Sequence, residues 1–153
     1  MNKLELKIPP LLVVVVTAAC MWLVTAYVPL VLVTFAGQLA IALVFAIAGF
    51  QIAVSGVRTC YAAQTTVNPL KPEDSNTLIT EGVFKVSRNP MYLGFLLALT
   101  GFALWLGALT AVLWLPLFVL YMNRFQIQPE ERALSQHFGE AYLAYQQKVR
   151  RWI

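Results

Sequence analysis

Charged positions along this chain are confined to a few stretches. No residue between Ile8 and Val57 is charged, a run of 50 positions, and a second run of 35 extends from Asn89 to Asn123. A helix needs about 20 apolar residues to cross the hydrocarbon core of a bilayer. The first run therefore predicts two spans, at residues 10–33 and 37–57. The turn between them falls at residues 34–38, with Gly37 as its breaker. Pro29 lies inside the first span and should kink its end. The second run is too long for one span and tight for two. It reads as a helical hairpin, residues 91–106 and 110–124, turning near Gly107, with Pro116 bending the second arm. A single long tilted helix is the alternative.

Two polar segments remain. In residues 58–90, Asn68-Pro69 and Lys71-Pro72 read as extended or turn dipeptides, and Glu81-Gly82 as a further turn. Pro90 should open the third helix, where proline is favoured, with Asn89 as its cap. That fixes Arg88 at a helix N-terminus on the membrane surface. In the last segment Pro129 should open a tail helix over residues 129–149, with Glu130 and Glu131 in its first turn, where the helix dipole favours anions. Leu134, Phe138, Ala141, Tyr142, Tyr145 and Val149 recur at three- and four-residue steps and predict one apolar stripe. Such an amphipathic helix lies against the membrane or caps the bundle. Tyr142 and Tyr145 then dock it, and Arg150, Arg151 and Trp152 suit an interfacial anchor.

Composition sharpens this picture. Hydrophobic residues make up 59% and charged residues 12% of the 153 positions, against about 45–50% and about 25% in ordinary soluble domains. One all-α integral membrane domain over residues 1–153 is expected. The net charge is +4, from 11 Lys+Arg and 7 Asp+Glu. With four spans, every charge falls on one face together with both termini. The positive-inside bias makes that face cytoplasmic, in a prokaryotic inner membrane, with no nucleic-acid partner. The apolar stretch after Lys3 and Lys7 runs on past Ala18, Ala19 and Cys20 and reads as a retained helix. Two cysteines exclude a disulfide scaffold and a four-cysteine zinc site. Cys20 and Cys60 read as packing residues. His137 stands alone, so no metal is expected. Gln51, polar within the second span, needs a partner.

The hairpin brings its two ends together, so that Arg88–Tyr92 and Arg124–Glu131 become neighbours across about 40 residues of sequence. A basic residue then faces two carboxylates at one membrane surface. Arg124 reads as an interfacial anchor.

Ser87-Arg88-Asn89-Pro90-Met91-Tyr92-Leu93-Gly94 resembles the Arg-(His/Asn)-Pro-x-Tyr-x-Gly signature of an integral-membrane methyltransferase superfamily. Its members include isoprenylcysteine carboxyl methyltransferases and phospholipid N-methyltransferases. The lead-in Leu78-Ile79-Thr80-Glu81-Gly82-Val83-Phe84 and the tail Glu130-Glu131, Leu134, Phe138-Gly139, Tyr142, Tyr145, Val149 and Arg151-Trp152-Ile153 are similar too. The resemblance covers a little over half the chain. It implies S-adenosylmethionine as cofactor, bound at the cytoplasmic end of the hairpin under the tail helix, and lipophilic or lipid-anchored substrates entering from the bilayer.

In that reading Arg88 takes the cofactor carboxylate with its planar fork. Glu130 or Glu131 accepts from the ribose hydroxyls or the ammonium. Tyr92 offers its ring to the sulfonium, or belongs to an interfacial aromatic belt. Gly94 leaves room for a close-packed helix or for the cofactor. Arg88, Asn89, Pro90, Tyr92, Gly94, Glu130 and Glu131 are the candidate cofactor site, with Arg88, Glu130 and Glu131 as candidate catalytic residues. Asn89 replaces the histidine common in the carboxyl methyltransferases. A carboxylate or thiolate acceptor needs no general base, whereas a neutral amine must lose a proton, to Glu130 or Glu131. The alternatives are a non-catalytic membrane interaction protein and a nicotinamide-dependent membrane reductase.

Overall fold

A computed structural model describes residues 5–65, 70 and 75–153. The described residues are all-helical, with no strand among them. Their helices are α1 (Pro10–Tyr27), α2 (Gln38–Ala62), α3 (Pro90–Leu106), α4 (Leu109–Val112), α5 (Trp114–Met122), α6 (Gln128–Phe138) and α7 (Glu140–Lys148). Two of them, α1 and α2, are long and apolar enough to cross a membrane. A core helix of a soluble protein would be covered, yet Leu11, Val15, Trp22, Leu43, Val44, Ile47 and Phe50 are all exposed. Apolar surface on that scale needs a bilayer around it. The extended or turn dipeptides expected at Asn68-Pro69 and Lys71-Pro72, like Lys3, lie outside the described residues.

The first span ends earlier than the apolar run suggests. Pro29 disfavours helical backbone at the residue before it, so α1 stops at Tyr27, with Val28 at φ −139° and ψ 59°. Proline terminates this helix rather than kinking it. Gly37, at φ 83°, then starts α2 as expected. That helix runs five residues beyond Val57, because nothing after Val57 breaks it.

Helices α2 and α3 pack backbone to backbone. A Cβ on Gly49 would lie 2.5 Å from the Gly94 carbonyl oxygen and 2.8 Å from the Ala98 nitrogen. One on Gly101 would lie 2.6 Å from the Ala42 oxygen. Small residues permit this approach, and dispersion over the long contact holds it without a hydrophobic driving force. A second centre gathers Met21, Leu99, Phe118, Met122 and Ile127 where α1, α3 and α5 meet.

Gly107, at φ 66°, ends α3 and turns the chain, as expected. This end of the bundle is tied by neutral hydrogen bonds. Val33 N–H donates to Gly107 O at 2.7 Å and Leu109 N–H to Val31 O at 3.0 Å. Gln38 Nε2 donates to Leu104 O at 2.6 Å. The second arm is interrupted at Leu113, between α4 and α5, where Pro116 can give no N–H to the preceding turn.

Two expectations for the tail are corrected. The chain does not leave the second arm at Arg124 and start afresh at Pro129. It stays helical through a π turn, Asn123–Ile127, in which Gln128 N–H reaches back to Asn123 O. Pro129 has no N–H to give, and the carbonyl of Phe125, four residues back, instead accepts Leu6 N–H at 3.0 Å. Nor is the tail one helix. Gly139, at φ 53° and ψ −129°, splits it into α6 and α7. The six-residue stripe is therefore divided between two helices. Gln51 is exposed on α2.

Candidate functional site

The first residues of α3, the first turn of α6 and one face of α7 converge around a cavity of about 90 Å³. Arg88, Asn89, Glu130 and Glu131 line it, with Phe84, Leu134, Phe138, Tyr142 and Tyr145 as an aromatic and apolar wall. Pro90 is buried at the first position of α3, which sets where Arg88 and Asn89 stand.

The two neighbouring carboxylates have different surroundings. Glu131 is clamped by two arginines. Arg88 Nη2 donates to its Oε1 at 2.7 Å. Arg151 donates from Nε to Oε1 at 3.0 Å and from Nη2 to Oε2 at 2.5 Å. The Arg88 and Glu131 side chains are only 10% and 12% exposed, so this charge-assisted pairing is shielded from water. Hydrogen bonding to Glu131 raises the Arg151 pKa above its ordinary value. Among the described residues Glu130 has no cation. Its partner is Tyr92, 3% exposed, whose hydroxyl donates to Oε2 at 3.0 Å. Burial pushes the Glu130 carboxyl up to about 7, against the lowering effect of the Tyr92 bond and with a further rise from the Glu131 charge.

The expected convergence of Arg88–Tyr92 with the start of α6 is therefore present. The individual placements refine it. Arg88 gives Nη1 to Gln146 O at 3.2 Å and Nη2 to Glu131, and its buried Nε has no partner among the described residues. Asn89 does not cap α3 with its side chain. It donates from Nδ2 to Arg151 O at 2.9 Å, while Ser87 Oγ accepts its backbone N–H at 3.1 Å. Tyr92 is inside, bonded to Glu130, rather than in a surface belt. Gly94 lies against the Gly49 backbone of α2, so of its two expected uses the structure realises close helix packing.

Several residues here take roles that sequence reasoning did not assign to them. Arg151, read as an interfacial anchor, is an ion-pair partner of Glu131, and Trp152 Nε1 donates to Asn123 Oδ1 at 3.0 Å. Tyr145, read as a docking residue, does dock α7, with its hydroxyl donating to Phe84 O at 2.7 Å. Burial pushes that hydroxyl up to about 12. Cys60, read as packing, is buried and also lines the cavity. Arg124 is not a lone anchor. It donates to Glu5 Oε1 at 2.8 Å, and Arg132 donates to Glu5 Oε2 at 2.7 Å. The His137 ring meets Phe138 edge to face.

The sequence profile of the phospholipid methyltransferase family matches residues 37–141. An uncharacterized protein of Haemophilus influenzae is 49% identical over 63 residues, which are 41% of this chain and the whole of that protein. A probable protein-S-isoprenylcysteine O-methyltransferase of Oryza sativa subsp. indica is 36% identical over 115 residues, 71% of this chain and 57% of that one. Protein-S-isoprenylcysteine O-methyltransferase B of Arabidopsis thaliana is 34% identical over 84 residues, 52% of this chain and 41% of that one. The chain thus spans about half the length of these two plant relatives. No solved structure matches it. The family profile takes in every residue that lines the cavity except Tyr142 and Tyr145 of α7, and the chain belongs to the phospholipid methyltransferase family.

Proposed function

We propose that the chain is an S-adenosylmethionine-dependent methyltransferase acting on a lipophilic or lipid-anchored acceptor at the cytoplasmic face of a membrane. It is held there by four spans, α1, α2, α3 and α4–α5, with both termini on that face. Supporting the topology, the ion pairs of Glu5, Arg88, Arg124, Glu131, Arg132 and Arg151 gather where α1 and α3 begin and α5 ends. Basic residues concentrate on the cytoplasmic side of membrane proteins.

The observation that carries the reading is Glu130, a carboxylate on a partly apolar cavity whose described partner is a buried tyrosine and no cation. Such a group suits a cationic or hydroxyl-rich ligand. The chemistry of the lining residues matches S-adenosylmethionine, and the cavity of about 90 Å³ must widen to admit the whole molecule, since sites for ligands of that size run to roughly 300 Å³ or more. Arg88 Nε is a buried donor in want of an acceptor and matches the cofactor carboxylate. Glu130 matches the ammonium or the ribose diol. Leu78, Phe84, Leu134 and Phe138 offer an apolar wall for the adenine. When bound, the cofactor supplies an electrophilic methyl group.

The chain's own residues then do the rest. Tyr92 fixes one Glu130 oxygen, and the Glu131 clamp fixes the Arg88 fork and the C-terminal arm. Asn89 holds that arm through the Arg151 carbonyl. The cavity wall excludes water, and orientation with dry surroundings supplies most of what an in-line displacement asks of an enzyme. A carboxylate or thiolate acceptor asks nothing more. An amine acceptor passes its proton to Glu130, whose carboxyl near 7 suits it to a base at neutral pH.

The test is transfer of a radiolabelled methyl group from S-adenosylmethionine into the lipid-extractable fraction of membranes containing the chain. Incorporation should fall at least about 100-fold in Glu130→Gln. Equal incorporation by the variant would remove Glu130 from the site.

A further inference from the structure

A second recess lies away from the cavity and shares no lining residue with it. It is an apolar groove of about 310 Å³ between α1 and α5, lined among others by Leu12, Val16, Trp114, Leu117 and Tyr121. It follows α5 for about 10 Å from Trp114 to Tyr121, a good part of the ~15 Å hydrocarbon depth of one leaflet. Its charged end is built. The Tyr121 ring lies 4.9 Å from that of Phe125, and the Arg124 guanidinium lies 5.6 Å from the Phe125 centroid. Arg124 and Arg132 share the Glu5 carboxylate, each giving it one terminal nitrogen. Their side chains are 44% and 53% exposed, and Lys7 is exposed on the same N-terminal segment. Arg124 follows Tyr121 by three residues and Glu5 precedes Ile8 by three, so two guanidiniums that share one carboxylate leave positive charge beside that end of the apolar slot. One turn deeper, about 5 Å, the Tyr121 hydroxyl has no hydrogen-bond partner among the described residues.

We propose that this groove binds an anionic phospholipid of the cytoplasmic leaflet. The phosphate sits on Arg124 and Arg132, an ester or glycerol oxygen accepts from the Tyr121 hydroxyl, and an acyl chain lies along Leu12, Val16 and Trp114. Charge complementarity selects this occupant. A zwitterionic lipid offers the same chain but a neutral headgroup, and each basic residue near an anionic surface contributes about tenfold or less in affinity. The lipid spans the joint between the N-terminal segment and the π turn, so it would brace α1 against α5. The inference needs the membrane setting but not the methyl-transfer reading.

Trp114 provides the readout. The full chain is placed in phosphatidylcholine vesicles containing about one tenth of either acyl-brominated phosphatidylglycerol or acyl-brominated phosphatidylcholine. The quenching assigned to Trp114 is the difference between the unaltered chain and Trp114→Phe. Brominated phosphatidylglycerol should quench it about fivefold more efficiently per mole. That preference should shrink as salt is raised and disappear in Arg124→Gln/Arg132→Gln. Equal quenching by both headgroups in the unaltered chain would overturn the proposal, and this comparison stands even if the double variant does not fold. A preference that survives the double variant in folded protein, or is indifferent to salt, would overturn it equally.

Discussion

The two ends of the helical bundle are closed by different chemistry. Where α1 ends and α3 turns into α4, neutral bonds do the work: Val33 to Gly107, Leu109 to Val31, and Gln38 to Leu104. At the other end Glu131 binds Arg88 and Arg151, and Glu5 binds Arg124 and Arg132. Both ends tie segments far apart in sequence, with Gln38 and Leu104 separated by 66 residues and Arg88 and Glu131 by 43. Of the two carboxylates that line the cavity, Glu131 is held in the ionic clamp and Glu130 is not. Ion pairs serve here as scaffolding, and the cavity carboxylate left out of them is the one to which the proposed function gives a chemical role.

The sharpest way to break this contrast is Glu131→Ala. Removing it leaves the guanidinium of Arg88 shielded and without its carboxylate, and it should cost about 3 kcal/mol in denaturant unfolding of the detergent-solubilised protein. The variant should also release α7 and residues 150–153 to proteolysis.

Glu130→Gln should behave in the opposite sense. The folded-state pKa of Glu130, about 7, lies above the ordinary 4.5. The stability linked to its proton is therefore fully present below about pH 4.5 and is lost as pH rises through 7. Glu130→Gln removes that loss. It should be more stable than the unaltered chain at pH 8, by on the order of 2–3 kcal/mol, and little different at pH 4.5. Thermal unfolding at the two pH values measures this, while methyl transfer by the variant is lost.

Smaller effects follow. Tyr145→Phe gives up the bond to Phe84 O and should cost about 1 kcal/mol, loosening α7 in hydrogen exchange. At the neutral end, Gln38→Ala should cost about 1 kcal/mol at most. It should show no dependence on pH and no effect on methyl transfer. An effect of Gln38→Ala on transfer would break the division of labour between the ends.

Much of the fold is legible because helix boundaries are written by residues that act locally. Gly37 and Gly107 mark the turns, and Pro90 marks the start of α3. Two signals mislead. The charge-free run measures apolar sequence rather than helix, so it overshoots α1, which Pro29 stops, and undershoots α2, which continues past Arg58. The stripe from Leu134 to Val149 keeps helical spacing on both sides of Gly139, so periodicity hides the break that the glycine makes. In the site, the Arg-Asn-Pro-x-Tyr segment and the Glu-Glu pair are legible. Which carboxylate takes which cation is not, because Arg151 finds Glu131 only after Gly139 has turned α7 back. The role of Glu5 is hidden by a different local feature, the π turn before α6. It depends on Pro129 freeing the Phe125 carbonyl that holds Leu6.

The most direct test of the central claim is calorimetric titration of the purified chain in nanodiscs with S-adenosylmethionine and S-adenosylhomocysteine, beside Glu130→Gln. Saturable binding of both, lost or weakened at least about tenfold in a variant that remains folded, is the predicted result. Folded protein that binds neither, or a Glu130→Gln variant that binds them undiminished, would contradict it.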